Sequence, residues 1–78
     1  MLNIEVTYWA VWGYAPRAVS LTGLLLNKCQ EHIQNLTLVP SDGGRFEVSV
    51  NGDLVYSKLA TGRHADPEEV LTAVNAMI

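Results

Sequence analysis

From Asn3 to Tyr8 the chain alternates. Ile4, Val6 and Tyr8 fall on one face, and Asn3, Glu5 and Thr7 on the other. A period of two marks a strand with one buried face. The period then lengthens. From about Ala15 to Ile33, Ala18, Leu21, Leu25, Cys29 and then His32 or Ile33 recur at three- and four-residue steps, which is one face of a helix. Leu24 and Leu26 widen that stripe and predict contacts on more than one side of the helix. Arg17, Lys28, Gln30 and Glu31 lie largely off it. Pro16 suits the first helical turn, where its missing N–H leaves no bond unmade. Gly23, in mid-helix, costs about 1 kcal/mol against alanine, and a close approach to a strand would account for it.

Leu36 to Val39 is a short β-prone run closed by Pro40, and Ser41-Asp42-Gly43-Gly44 reads as a loop. Arg45 to Val50 alternates again, with Phe46, Val48 and Val50 on one side and Glu47 and Ser49 on the other. Asn51-Gly52 is a favoured two-residue hairpin turn, and Asp53 to Lys58 returns. Leu59 to Ala65 reads as a loop. Asp66-Pro67-Glu68-Glu69 then announces a helix, with Asp66 as N-cap, Pro67 first and Glu69 three residues after the cap. Val70, Leu71, Val74 and Met77 or Ile78 form its expected buried stripe.

The predicted order is β-α-β-β-β-α. The first strand, the long helix and the second strand make a crossover, expected to be right-handed with parallel strands. The hairpin adds two antiparallel strands. The fold class is therefore an α/β two-layer sandwich, a four-stranded mixed sheet with two helices, in a single domain spanning residues 1–78.

Composition narrows the function classes. Hydrophobic residues make up 49% and charged residues 17%, a globular rather than a disordered balance. Net charge is −3 with five Lys and Arg, which argues against a nucleic-acid surface. The longest apolar run, Leu24-Leu25-Leu26, is too short to span a bilayer, and Met1 to Glu5 has neither the basic nor the apolar region of a signal peptide. The expectation is no membrane partner. A single cysteine, Cys29, excludes an intrachain disulfide and favours a reduced, cytoplasmic setting. His32 and His64 are too few and too far apart for a metal site, so no metal and no cofactor are expected. Cys29, on the apolar helix face, is expected to act as a small hydrophobe rather than a reactive thiol. Glu47 is expected in solvent. Ser57-Lys58 does not read as a nucleophile and base, because neighbouring strand residues point to opposite faces.

The stretch joining the first strand to the long helix is Tyr8-Trp9-Ala10-Val11-Trp12-Gly13-Tyr14-Ala15-Pro16-Arg17. It resembles the selenoprotein W, T and H family, whose bacterial members are often called the Rdx family. There the pattern is Tyr-Cys-x-x-Cys (or selenocysteine)-x-Tyr-x-Pro-Arg or Lys. Gly44-Arg45-Phe46-Glu47-Val48, Asn51-Gly52, Ser57-Lys58, Gly62 and Asp66-Pro67-Glu68-Glu69-Val70 match further family motifs in order and spacing. The resemblance implies a thioredoxin-like fold and thiol–disulfide oxidoreductase ancestry, with glutathione as a partner by family analogy. His64-Ala65 departs from it, standing where the family often has an aromatic residue followed by proline.

The larger departure falls on the chemistry. Trp9 and Trp12 occupy the positions of the redox pair. In the family motif a thiol beside a helix N-terminus is held as thiolate, attacks a disulfide, and is released by the second thiol. Indole offers a weak N–H donor and no such nucleophile. As written, the site has no catalytic residue for dithiol exchange.

Three explanations stand. In the first, the activity is lost and Tyr8, Trp9, Val11, Trp12 and Tyr14, with Arg17, form a binding surface for a protein partner or a second copy, or simply cover the helix end. In the second, Trp9 and Trp12 are decoding errors. Selenocysteine uses a codon that is normally a stop, and some genetic codes read it as Cys or Trp, so a wrong code misreports the motif. In the third, the tryptophans are deliberate substitutions, although Ser or Ala would be gentler. A further possibility is that Cys29 alone forms mixed disulfides with glutathione.

Overall fold

A computed structural model describes residues 1–10, 13–63 and 66–78. Strand β1 (Leu2–Trp9) leads into helix α1 (Tyr14–Cys29). A 3₁₀ turn (Gln30–His32) joins α1 to β2 (Ile33–Ser41). The hairpin β3 (Phe46–Val50) and β4 (Asp53–Ser57) follows, then a short helix α2 (Lys58–Thr61) and helix α3 (Pro67–Asn75). The strands form one mixed sheet in the order β2-β1-β3-β4. β1 is parallel to β2 and antiparallel to β3, and β3 is antiparallel to β4. This is the expected α/β architecture.

The core lies between the inward face of the sheet and the two main helices. Ile4 and Val6 of β1 and Phe46, Val48 and Val50 of β3 meet Ala18, Leu21, Leu25 and Cys29 of α1 and Val70, Leu71 and Val74 of α3, all buried. Each large aliphatic side chain buried here contributes about 1.5–3 kcal/mol. β1 and β3 sit in the middle of the sheet, and their alternating residues supply its inward face. The hairpin turn has Asn51 at φ 52° and Gly52 at φ 86°, the double left-handed geometry that Asn-Gly favours. Asn51 also ties the turn to β1: its Oδ1 accepts from the Asn3 N–H at 2.9 Å, and its own N–H donates to the Asn3 carbonyl at 2.8 Å.

Several details differ from the sequence expectations. α1 ends at Cys29, so His32 falls in the exposed 3₁₀ turn and Ile33 opens β2. The parallel ladder with β1 recruits Ile33, Gln34 and Asn35 into a strand that local preference alone would not start so early. β2 also runs through Pro40, which an edge strand tolerates. Leu24 packs against the core, but Leu26 is exposed. Gly23 faces open space, with nothing within 4 Å of where a Cβ would stand, so no close strand explains it.

The expected loop from Leu59 begins with the helical turn α2. Ser57 caps it, and Gly62, at φ 75°, closes it. Met77 and Ile78 lie beyond α3 and are exposed rather than part of its buried stripe. Asp66 does cap α3, its Oδ1 accepting from the Glu68 N–H at 3.0 Å. The Glu69 carboxylate turns to Arg63 at 2.7 Å. The departure expected at His64-Ala65 lies outside the described residues. No helix among the described residues is long and apolar enough to cross a membrane.

Candidate functional site

The strand-to-helix turn stands at the C-terminal end of central strand β1. Pairing holds β1 to its last residue. Trp9 lies opposite Ser41 of β2, its N–H donates to the Arg45 carbonyl at 2.8 Å, and the next N–H, of Ala10, reaches the Ser41 carbonyl at 3.2 Å. The backbone on both sides of β1 thus fixes where the Trp9 ring leaves the sheet. Gly13, the residue before α1, has a φ of 77°, a left-handed conformation that glycine adopts without strain. Tyr14 is the first residue of α1.

Of the residues expected to form a binding surface, Tyr8, Trp9 and Tyr14 are half-buried and Arg17 is exposed. Trp9 and Tyr14 meet edge to face, with ring centroids 5.6 Å apart and planes at 87°. That geometry sets the positive edge of one ring against the negative face of the other. Tyr8 packs at the margin of the core. Val11 and Trp12, also expected in this surface, lie outside the described residues.

Two segments far away in sequence complete the site. At Gly44 a Cβ would stand 3.8 Å from the Trp9 ring, so this loop lies against the indole. The Lys58 ammonium stands over the Tyr14 ring, 5.7 Å from its centroid, within cation–π range. Lys58 owes that position to Ser57. The buried Ser57 hydroxyl accepts from the Ala60 N–H at 3.3 Å, which caps α2, and donates to the Glu47 carboxylate at 3.2 Å. Glu47 is accordingly half-buried rather than in open solvent, and its other oxygen stands 3.6 Å from the Arg45 guanidinium. Ser57 and Lys58 are not two strand residues on opposite faces. One ends the strand as a cap and the other begins a helix. Sequence reading missed this Glu47–Ser57–Lys58 arrangement, and the signal for it was a Ser-Lys pair followed one helical turn later by Gly62.

Gly13 has no side chain to cap α1, and the first turn of α1 contains no acidic residue. The helix dipole gives such an end partial positive charge. A thiolate there would be favoured, but Trp9 and Trp12 supply none. Cys29 sits at the opposite end of α1. It is buried, and its thiol donates to Asn75 Oδ1 at 3.3 Å. That places it among core residues, away from the turn. Among the described residues no cluster of His, Cys, Asp and Glu could hold a metal ion. Among the described residues, the clear electrostatic perturbation is at Arg63 and Glu69. Their hydrogen bond raises the guanidinium and lowers the carboxyl relative to their ordinary values.

A sheet of this order, with Trp9 and Tyr14 packed where its central strand gives way to the long helix, makes a small α/β domain with one candidate site at that strand end. The Rdx family model matches residues 3–76, and the chain belongs to that family. The crystal structure of a selenoprotein W-related protein from Vibrio cholerae superposes with a TM-score of 0.93 over 97% of this chain and 95% of that one, at 26% identity. A protein of Bordetella parapertussis has the same fold, with a TM-score of 0.94 over 99% of this chain and 98% of its own, at 21% identity. No curated protein matches in sequence.

Proposed function

We propose that this chain is an Rdx-family domain whose turn serves recognition of a protein partner rather than dithiol exchange. The carrying observation is that tryptophan stands at both positions of the family's redox pair. The packing of Trp9 on Tyr14, with Lys58 over the same tyrosine, supports the reading. It holds large, few-rotor side chains in place before a partner arrives, which lowers the entropy lost on binding. Tyr8, Val11, Trp12 and Arg17 are the further members of this surface. A cytoplasmic setting agrees with the free thiol at Cys29.

The test is affinity capture from the source organism, quantified for the wild type, Trp9→Ala and Trp12→Ala, with circular dichroism as the check on folding. The reading expects at least one captured protein to lose about tenfold or more of its enrichment in both variants, and its purified form to bind correspondingly more weakly. An identical capture profile for all three proteins rejects it.

A second reading is favoured by one specific observation. The replacements fall on the two redox positions and leave Tyr8, Tyr14, Pro16 and Arg17 of the motif in place. In that reading residues 9 and 12 of the natural product are Cys or selenocysteine, and the protein is a thiol or selenol oxidoreductase. The start of α1, with no acid in its first turn, suits it. The mass of the natural protein separates the two readings.

A further inference from the structure

Cations gather at the aromatic turn of a chain that is short of them. The whole sequence sets five Lys and Arg against eight Asp and Glu. Three of the five lie at the end of β1. Lys58 stands over the Tyr14 ring, 5.7 Å from its centroid. Arg17 follows Tyr14 by three residues on α1, hence beside it on the helix surface, and is exposed. Arg45 is held next to Trp9 by the bond from the Trp9 N–H to its carbonyl.

Arg45 is paired with Glu47. Among the described residues neither Lys58 nor Arg17 forms an ion pair. Acids on neighbouring segments are engaged: Glu47 by Arg45 and the Ser57 hydroxyl, Glu69 by Arg63, and Asp66 by the start of α3. Asp42 is exposed in the loop before Gly44. Arg17 also closes the first turn of α1, where the helix dipole opposes a cation. Glu68 and Glu69 hold the corresponding turn of α3 and satisfy its dipole. Lys58 is built into place, since the buried Ser57 hydroxyl caps the turn that Lys58 opens. Positions that break a local rule without a local gain are where function is expected to supply the compensation. Here the compensation is an anion.

We propose that the turn takes an acidic peptide segment of a partner protein, with Lys58 and Arg17 selecting its charge. The proposal rests on the recognition role argued above and names the chemistry of the partner. An apolar residue of the segment lies against Trp9 and Tyr14, and Asp or Glu beside it reaches the two cations. Opposite charge gives such a contact its specificity and its rate of encounter. Two cations on a chain of net charge −3 suit a few carboxylates and not the dense phosphates of a nucleic acid.

Phage display of random linear peptides on the full chain tests this. The wild type is expected to select peptides enriched in Asp and Glu over the starting library, and Trp9→Ala to lose them. For the best-selected peptide, the dissociation constant is expected to rise about threefold or more in Lys58→Met and in Arg17→Gln. Lys58→Met keeps an apolar stem over Tyr14 while removing the charge. Lys28→Met is the control. It removes the same charge from the last turn of α1, at the far end of the helix, and is expected to leave binding unchanged. Selected peptides that depend on Trp9 but are neutral or basic overturn the proposal and leave the recognition role standing. Acidic peptides whose binding survives Lys58→Met or Arg17→Gln, or falls equally in Lys28→Met, also overturn it. If the wild type selects nothing, or Trp9→Ala selects the same peptides, the recognition role fails and the proposal with it.

Discussion

Helices α1 and α3 run side by side, and their C-terminal ends meet where Cys29 donates to Asn75. Their starts could hardly differ more. α3 begins with the Asp66 side chain on the Glu68 N–H, Pro67 in the first turn, and two glutamates beside it. Its free N–H groups and its dipole are satisfied by its own sequence. α1 begins at a left-handed glycine with no side-chain cap and no acid in its first turn. Stability alone favours the first kind of start. The second leaves partial positive charge directed at the turn, which is where the family places its thiols. In the proposed reading this chain keeps the electrostatic half of that device and has indole in place of the reacting half.

The largest expected effect restores the missing half. Trp9→Cys combined with Trp12→Cys is expected to form an internal disulfide under mild oxidation. One of its thiols is expected to titrate below the ordinary value of about 8.5. A single cysteine at Glu68→Cys, beside Asp66 and Glu69, is expected to titrate higher than that thiol. Alkylation rate against pH reads both. Equal pKa values would mean that the two helix starts do not differ electrostatically.

Next comes the shared core, which sets the scale. Leu25→Ala, fully buried beneath α1, is expected to cost about 2–5 kcal/mol in urea denaturation. The starts themselves follow. Gly13→Ala meets no neighbour within 4 Å, so its cost is the left-handed backbone alone, about 1–2 kcal/mol. Asp66→Ala loses a cap, about 1 kcal/mol. If Gly13→Ala is neutral, the left-handed start of α1 is not a constraint.

The smallest effect belongs to Arg63 and Glu69, both exposed. The folded pKa of Glu69 is lowered, chiefly by the hydrogen bond from Arg63. Its contribution is therefore present above the ordinary carboxyl pKa and is lost as pH falls through the lower folded value. Glu69→Gln is expected to flatten slightly the acid limb of stability against pH and to leave neutral stability nearly unchanged. An unaltered acid limb would remove this pair from the description of the α3 start.

What the sequence disclosed follows the range of the forces involved. The Asn51-Gly52 turn, the Asp66-Pro67 start and the stripe through Ala18, Leu21, Leu25 and Cys29 are local signals, and all three appear in the structure. The early start of β2 needs β1 beside it. The α2 turn needs Glu47 to receive the Ser57 hydroxyl, a contact ten positions away in sequence. Lys58 could be placed over Tyr14 only after that turn was known. The apolar flank of α1 misled in the other direction: Leu26 has the composition of core and faces outward. At the turn, residue identity disclosed what chemistry is missing, whereas the contacts of Trp9 with Tyr14 and the Gly44 loop depend on the folded sheet end.

In the proposed reading this Rdx-family turn carries tryptophan and no dithiol. The most direct test is the intact mass of the protein isolated from its own source, with and without thiol alkylation after denaturation. The expected result is the mass of two tryptophans and a single alkylated site, Cys29. Additional alkylated sites, with a mass matching cysteine or selenocysteine at positions 9 and 12, would contradict it and return the protein to the oxidoreductases.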